Sequence, residues 1–306
     1  MSEVVLVHGI AQEQYSADLL ESKWIPAMAG AVWLAGHPDL ADQLWRDNRP
    51  GRIKTRMAFY GNAFLDAGAQ GGSGSMSLTE AELDVAEQLA YQWLSAAATS
   101  APDRGDRAKA QIQLEILADD TAQPMGVGAA LRPAIKALTG LRWFAPTGFN
   151  FAARFVVGAL GQVTKYFTDP AVRELAQQKV LEHIGPETRL VIAHSLGSVV
   201  AYEALHRIDH PVALLTAGSP LGLQSIIYPR LDPSPAQVPP TVTSWDNLAD
   251  RDDIIATTLD LAPLFKSSSS GISPTRTVVD NGAEPHSALN YLSKEHAGKV
   301  IANAFA

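Results

Sequence analysis

Residues 191–197 read VIAHSLG, and this segment indicates the fold more strongly than any other part of the chain. An apolar run typical of a strand buried on both faces leads directly into Ser195 and then into a helix-like segment. A serine at such a junction, with small residues two positions before and after it, is typical of a sharp turn that exposes a nucleophile. Those small residues are Ala193 and Gly197, and Ala193 departs by one methyl group from the usual glycine. The stretch predicts a nucleophilic Ser195, and the alternative is a serine that only caps the helix.

Strand-like and helix-like segments alternate in the rest of the chain. The strand-like runs are residues 4–7, 53–60, 190–193, 212–217, 242–245 and 276–279, and the helix-like runs include 16–36, 196–208 and 288–305. Strands that alternate with helices form a parallel sheet covered by helices. We therefore expect an α/β fold with a mostly parallel central sheet of about six strands, flanked by helices.

Residues 66–168 interrupt this alternation, because they contain helix-like segments and no convincing strand. Residues 77–80 (SLTE) have the pattern of a capping box and predict the start of a helix, as does the Asp-Pro pair at 169–170. We predict a core made of residues 1–65 and 169–306, with 66–168 as a helical insertion that serves as a lid or cap.

Aromatic residues are dense in the second part of the predicted insertion. They are Trp143, Phe144, Phe149, Phe151, Phe155, Tyr166 and Phe167. Aromatic side chains over a nucleophile can form a lid or an acyl-chain pocket. The alternative is that they form the insertion's own hydrophobic core.

Composition excludes several classes of protein. The chain has 306 residues, no cysteine and a formal net charge of −8. It therefore has no disulfide scaffold, and its charge argues against a general nucleic-acid binder. The longest apolar run, near 149–163, is too short to span a membrane and contains Arg154. We expect a cytoplasmic protein with no integral membrane segment, no nucleic-acid partner, no metal site and no cofactor; a homo-oligomer is an open alternative.

A serine needs a base to attack an ester, and the base needs an orienting acid. His286 follows the last predicted strand and precedes the closing helix, so it lies at the edge where ligands bind in open α/β sheets. His194 adjoins the serine but points away from the turn, and His206 and His210 lie at or beyond the end of the next helix. We predict His286 as the base, and the alternative is a solvated loop histidine.

The acid is expected after an intervening strand, where residues 246–253 (DNLADRDD) crowd carboxylates together. Asp252 is followed, after one residue, by two isoleucines that would turn the loop back into the core. We choose Asp252, with Asp253 and Asp250 as alternatives.

The transition state also needs donors for its oxyanion. The Leu196 N–H follows the serine at the start of a helix, and Gly9 after the first strand allows the Ile10 N–H to approach. We predict Ile10 and Leu196 as the oxyanion donors. Weaker candidates for the substrate pocket are Gly9, His8, Tyr60 and His194, although the His8 ring is expected mainly to support the loop from beneath.

Together these segments resemble the α/β-hydrolase superfamily of the serine esterase and lipase type. The matching segments are residues 4–10 (VVLVHGI), 193–198 (AHSLGS), 217–222 (AGSPLG), 245–253 (WDNLADRDD) and 285–292 (PHSALNYL). The chain order Ser, Asp, His is that of the superfamily. The likeness is greatest to the bacterial lipase-like and GPI-inositol-deacylase-like branch. That branch has a Trp-x-Asn start to its acid segment, which by resemblance supports Asp252, and the early His-Gly implies a sheet without the first strands of larger members.

The resemblance implies a carboxylic ester hydrolase that works through an acyl-serine and acts on a small-molecule ester or acyl substrate. The same intermediate would serve a thioesterase, an amidase or an acyltransferase. A third hypothesis is a binding module without catalysis, which would typically lack one of the three residues. Fold alone does not choose among these functions.

Overall fold

A computed structural model describes residues 1–46, 51–64, 79–120, 130–143, 149–267 and 271–306, with the side chains of 119–120 and 149–155 excepted. The strands are β1 (Val4–Val7), β2 (Thr55–Ala58), β3 (Leu190–His194), β4 (Val212–Ala217), β5 (Val242–Asp250) and β6 (Thr275–Val279). The helices are α1 (Ala17–Leu34), α2 (Pro38–Ala41), α3 (Glu80–Ser100), α4 (Arg104–Asp120), α5 (Leu131–Thr139), α6 (Phe149–Thr168), α7 (Pro170–Leu181), α8 (Leu196–Leu205), α9 (Ala288–Leu292) and α10 (Glu295–Phe305). Shorter helical turns lie at Asp42–Arg46, Gly61–Phe64, Pro220–Gly222 and Tyr228–Arg230.

The strands form one six-stranded sheet in the order β2-β1-β3-β4-β5-β6, and every pair is parallel. This confirms the predicted α/β fold. The chain runs from β1 to β2 on one side and then crosses to β3 on the other side of β1. The carboxyl ends of β1 and β3 therefore flank the point where the strand order reverses, and such points form the ligand crevice of open α/β sheets.

Alternate residues of β1 belong to two different hydrophobic cores, because successive side chains of a strand point to opposite faces. Val5 and Val7 pack in one core with buried residues of α3, α6 and α8. Val4 and Leu6 pack in the other core with residues of α1 and α10. Helices from the predicted insertion thus share a core with the sheet. The division into a core and a lid stays a prediction.

Two of the predicted helix starts are present. The Ser16 side chain caps α1 by accepting a hydrogen bond from the Leu19 N–H at 3.2 Å. The Asp169 carboxylate caps α7, which begins at Pro170. No helix in the described ranges is long and apolar enough to cross a membrane.

The capping box of α3 lies two residues later than predicted. Thr79 is the N-cap, its hydroxyl accepts from the Glu82 N–H at 3.3 Å, and the Glu82 carboxylate accepts from the Thr79 N–H at 2.7 Å. Ser77, the cap that the sequence predicts, lies outside the described residues. Both registers place a hydroxyl three residues before a glutamate, so the pattern alone does not separate them.

Two segments near the site differ from the sequence prediction. The closing helix is broken into α9 and α10, because Lys294 is extended (φ −76°, ψ 141°). The β5 strand continues to Asp250, five residues beyond the predicted end. The acidic run from 246 to 250 is therefore strand, and the loop begins only after it.

Candidate active site

Ser195 lies in the turn between β3 and α8 with φ 54° and ψ −132°, a region that residues with a side chain rarely adopt. Gly197 is needed next to this turn, because a Cβ there would lie 2.3 Å from the His8 carbonyl oxygen. Ala193 is fully buried, so its extra methyl is accommodated. The Ser195 side chain makes no capping hydrogen bond to the helix. Its hydroxyl is therefore not used as an ordinary helix cap.

His286 contacts that hydroxyl from the loop between β6 and α9. Its Nε2 lies 2.9 Å from Ser195 Oγ, and its Nδ1 lies 2.7 Å from Asp253 Oδ2. A carboxylate only accepts, so Nδ1 carries the proton and Nε2 accepts from the serine hydroxyl. The structure thus brings Ser195, His286 and Asp253 into one hydrogen-bonded chain.

The carboxylate that contacts His286 belongs to Asp253, and the choice of Asp252 is wrong in this respect. Asp253 is buried, whereas Asp252 is partly exposed and uses its backbone N–H to reach Asp250 Oδ1 at 2.8 Å. The loop starts only after Asp250, and this short turn directs the side chain of Asp253 inward. Asp253 was one of the two alternatives that the sequence left open.

Hydrogen-bond donors contact both oxygens of the Asp253 carboxylate. Oδ1 accepts from the N–H groups of Ile255 (3.0 Å) and Ala256 (3.3 Å). Oδ2 accepts from the Tyr291 hydroxyl at 3.0 Å, in addition to His286. Hydrogen bonds to the charged form offset the cost of burying a carboxylate. The Asp253 carboxylate is therefore held in one orientation.

Tyr291 is fully buried on α9 and connects both acidic residues of this loop. Burial, and then the nearby charge of Asp253, raise the pKa of Tyr291, so it stays a proton donor. Its oxygen also accepts from the Asp250 N–H at 2.9 Å. The Asp250 carboxylate reaches onward to the Asn281 N–H at 2.5 Å, which fixes the segment before His286.

His194 supports His286 from the other side. Its Nε2 lies 3.0 Å from the His286 carbonyl oxygen, which can only accept, so Nε2 carries a proton. Burial, and then the proximity of His286, hold the pKa of His194 well below its usual value. His194 is therefore a neutral donor that positions the His286 backbone.

The two predicted oxyanion donors belong to the loop after β1 and to the start of α8. Leu196 is the first residue of α8, where N–H groups have no partner within the helix. Ile10 and Leu196 both border a narrow pocket together with Ser195. A Cβ on Gly9 would lie 2.6 Å from the Ser195 Cβ, so only glycine permits this approach of the β1 loop.

A residue of α6 holds this loop in place. Ala11 has a positive φ of 57°, and its N–H donates to Gln162 Oε1 at 2.9 Å. Gln162 also donates from Nε2 to Glu13 Oε2 at 2.7 Å. The conformation of the loop next to Ile10 thus depends on a helix from the predicted insertion.

His8 and Tyr60, two of the weaker pocket candidates, are buried beneath the loop and do not line the cleft. Their rings stack 4.2 Å apart, the Tyr60 N–H donates to His8 Nε2 at 3.1 Å, and His8 Nδ1 lies 2.8 Å from the Gly9 carbonyl oxygen. Burial lowers the pKa of His8 to about 4. The ring is therefore neutral, and it supports the loop from beneath, which is the position expected for His8.

An open cleft of about 330 Å³ adjoins His286. Gly9 and His194, the other two pocket candidates, line it, together with Trp24 and Trp143. Trp143 donates from Nε1 to the Asp252 carbonyl oxygen at 2.8 Å, and its ring centroid is 6.4 Å from that of His286. Of the predicted lid aromatics, Trp143 therefore reaches the cleft.

The other aromatics of this group have different positions. Tyr166 is buried, its hydroxyl donates to Glu203 Oε2 at 2.6 Å, and Phe167 packs against its ring. They belong to the hydrophobic core. Phe144 lies outside the described residues, as do the side chains of Phe149, Phe151 and Phe155.

Sequence reasoning missed Tyr291 and Gln162. Tyr291 lies five residues after His286, in the segment 285–292 that resembles the α/β-hydrolase superfamily. Gln162 is a lone amide in an apolar helix. Because it is buried, its amide group needs hydrogen-bond partners within the protein. No signal in the sequence pairs either residue with its distant partner.

Comparison with known proteins gave no match: no family model, no curated protein and no solved structure matches this chain. Within the described ranges, no group of three or more His, Cys, Asp or Glu side chains is placed to hold a metal ion. A serine hydroxyl that donates to a neutral imidazole can pass its proton to that ring during attack on a carbonyl, while the carboxylate stabilises the imidazolium.

Proposed function

We propose that this chain is a serine hydrolase that cleaves a carboxylic ester, with Ser195, His286 and Asp253 as its catalytic triad. The observation that carries the proposal is the strained Ser195, whose Oγ lies 2.9 Å from His286 Nε2. Helix capping does not explain why this serine has a strained backbone and a histidine next to its hydroxyl, because the hydroxyl does not cap the helix. The parallel sheet and the chain order of the three residues also support membership of the α/β-hydrolase superfamily.

In the first half of the reaction, Ser195 Oγ attacks the ester carbonyl carbon as its proton moves to His286 Nε2. The Ile10 and Leu196 N–H groups stabilise the oxyanion that forms. His286 then gives the proton to the alcohol oxygen as the carbon–oxygen bond breaks. The acyl group stays on Ser195. Asp253 remains ionised and stabilises the imidazolium.

In the second half, water attacks the acyl carbon and gives a proton to His286 Nε2. When the second tetrahedral intermediate breaks down, His286 returns that proton to Ser195 Oγ and the carboxylic acid leaves. Each oxyanion donor is expected to contribute about 10²–10³ in turnover.

Fluorophosphonate labelling tests this proposal, since the probe phosphonylates only activated serines. The wild type is expected to carry one adduct on the peptide that contains Ser195. Ser195→Ala should carry none, and His286→Ala should label far more slowly. Labelling at another serine, or no labelling of folded protein, would contradict the proposal and favour a binding module.

A further inference from the structure

Two cavities of very different size adjoin the Ser195–His286 pair, one at each residue. The open cleft of about 330 Å³ is bordered by His286 and His194. Ser195 and Leu196 border a second pocket of about 10 Å³, roughly the space that one water molecule needs. Ile10 borders both cavities.

The proposed chemistry assigns one cavity to each part of an ester. His286 Nε2 must give its proton to the departing oxygen, so the alcohol part leaves across the His286 ring, into the cleft. The acyl carbon stays bonded to Ser195 Oγ, and its oxygen lies against the Leu196 and Ile10 N–H groups. The acyl substituent is then directed into the small pocket on the Ser195 side.

The walls of the small pocket are packed and cannot be displaced cheaply. Leu89 and Trp93 come from α3 and Val163 from α6, and all three are buried. Leu223 and Ile255 close the other side and are also buried. Protein interiors are close-packed, so each added methylene would have to push side chains out of low-energy positions.

Trp93 is the largest of these wall residues, and only packing holds its ring. It is 1% exposed, and its Nε1 has no hydrogen-bond partner among the described residues. Shortening this side chain therefore creates space beside the serine without leaving a polar partner unsatisfied.

We infer that this chain prefers esters with a short acyl group, such as acetyl, and a larger alcohol part, and that Trp93 sets the limit on acyl length. The inference rests on the proposed function and narrows its substrate class. Such a pocket differs from the acyl-chain pocket that the aromatic residues of the insertion could form, because it would exclude long acyl chains.

A chain-length series of p-nitrophenyl acetate, butyrate and octanoate tests the inference, because the leaving group is constant. In the wild type we expect kcat/KM to fall about 100-fold or more from acetate to octanoate. In Trp93→Leu the ratio of octanoate to acetate hydrolysis should rise about tenfold or more. Trp24→Leu is the matched control, since Trp24 borders the cleft and not the small pocket; its ratio should stay that of the wild type.

Octanoate hydrolysed as well as acetate by the wild type would overturn the inference, as would an unchanged ratio in folded Trp93→Leu. If Trp93→Leu fails to fold, Val163→Ala removes less of the same wall, and its ratio must rise in the same direction or the inference fails. The proposed function is judged separately by the dependence of acetate hydrolysis on Ser195. If that dependence and fluorophosphonate labelling are both absent, the proposed function fails and the inference fails with it.

Discussion

Ser195, Gly9 and Leu196 stand at the ends of β1 and β3, where the backbone is buried in the middle of the sheet. Asp253 and His286 stand on the loops that follow β5 and β6, at the side of the same sheet. The first group is positioned by close contact between the backbone of the loop after β1 and the turn after β3. The second group is positioned by side-chain hydrogen bonds from Tyr291, Asp250 and His194. Apart from loss of the Ser195 hydroxyl itself, substitutions should therefore affect the two halves in different ways: mainly stability in the first, and mainly turnover in the second.

The largest effect is expected from Asp253→Asn, in the half of the site that lies on the loops after β5 and β6. An amide that faces His286 Nδ1 favours the tautomer with the proton on Nε2, which cannot take the serine proton. We expect kcat/KM for p-nitrophenyl acetate to fall about 10⁴-fold, with little change in stability.

Asp252→Asn is the matched control for that substitution, since it makes the same chemical change one residue away. Asp252 has no contact with His286, so its substitution should change kcat/KM by no more than about threefold. A larger loss in Asp252→Asn would favour Asp252 as the acid. Equal losses in the two variants would contradict the assignment of this role to Asp253 alone.

In the half of the site at the ends of β1 and β3, Gly197→Ala is expected to lower the stability of the protein. The new Cβ would lie 2.3 Å from the His8 carbonyl oxygen, so the turn or the β1 loop must move. Overpacking against backbone should lower the free energy of unfolding by about 3 kcal/mol. Urea denaturation measures this loss.

Gly30→Ala in α1 provides the comparison for Gly197→Ala, because no atom outside the adjoining residues and backbone of its own helix lies within 4 Å of the position its Cβ would take. We expect it to raise the free energy of unfolding by about 0.5–1 kcal/mol. A Gly197→Ala variant as stable as the wild type would show that backbone contact does not hold this half together.

The next effect concerns pH and the buried His8 beneath the β1 loop. Its pKa is lowered to about 4 in the folded protein, so below the ordinary value near 6.5 the unfolded chain binds a proton that the folded chain does not. Stability should therefore fall as the pH falls from about 6.5 towards 4. Between pH 6.5 and 5 the loss due to His8 is about 2 kcal/mol.

To measure the contribution of His8, the pH dependence of the free energy of unfolding is compared between two proteins. Urea denaturation of the wild type and of His8→Asn at several pH values gives the free energy of unfolding of each. The His8→Asn variant is expected to be less stable but to lose about 2 kcal/mol less over this range. Parallel pH profiles would contradict a buried neutral His8.

The smallest effect is expected from Tyr291→Phe. The change removes one donor to the Asp253 carboxylate and leaves the Asp250 N–H without its acceptor. A hydrogen bond to a charged group contributes about 1.5 kcal/mol, so kcat should fall about tenfold with KM nearly unchanged. A rise in KM alone would show that Tyr291 acts on substrate binding and does not position Asp253.

The difference between the two halves also explains which parts of the site are predictable. The turn around Ser195 lies within residues 191–197, so one short pattern encodes strand, turn and helix. The parallel sheet is predictable for a similar reason, since the strands β1, β3 and β4 at its centre are nearly continuous apolar runs. His286 is predictable from its place after the last strand.

The choice between Asp252 and Asp253 depends on where β5 ends. The apolar pattern indicates an end near residue 245, whereas pairing with β4 and β6 extends the strand to Asp250. That extension comes from long-range hydrogen bonds and has no local signal. The contacts of Tyr291 and Gln162 are long-range in the same sense, because their partners are 38 and 151 residues away along the chain.

Rapid acid quench of the protein with p-nitrophenyl acetate, followed by peptide mass analysis, tests most directly whether Ser195 forms the acyl intermediate. We predict an acetyl group on the Ser195 peptide, close to one per chain during turnover, and its absence in Ser195→Ala. Ester hydrolysis that proceeds at the wild-type rate in Ser195→Ala, or with the acetyl group on another residue, would contradict the proposed mechanism.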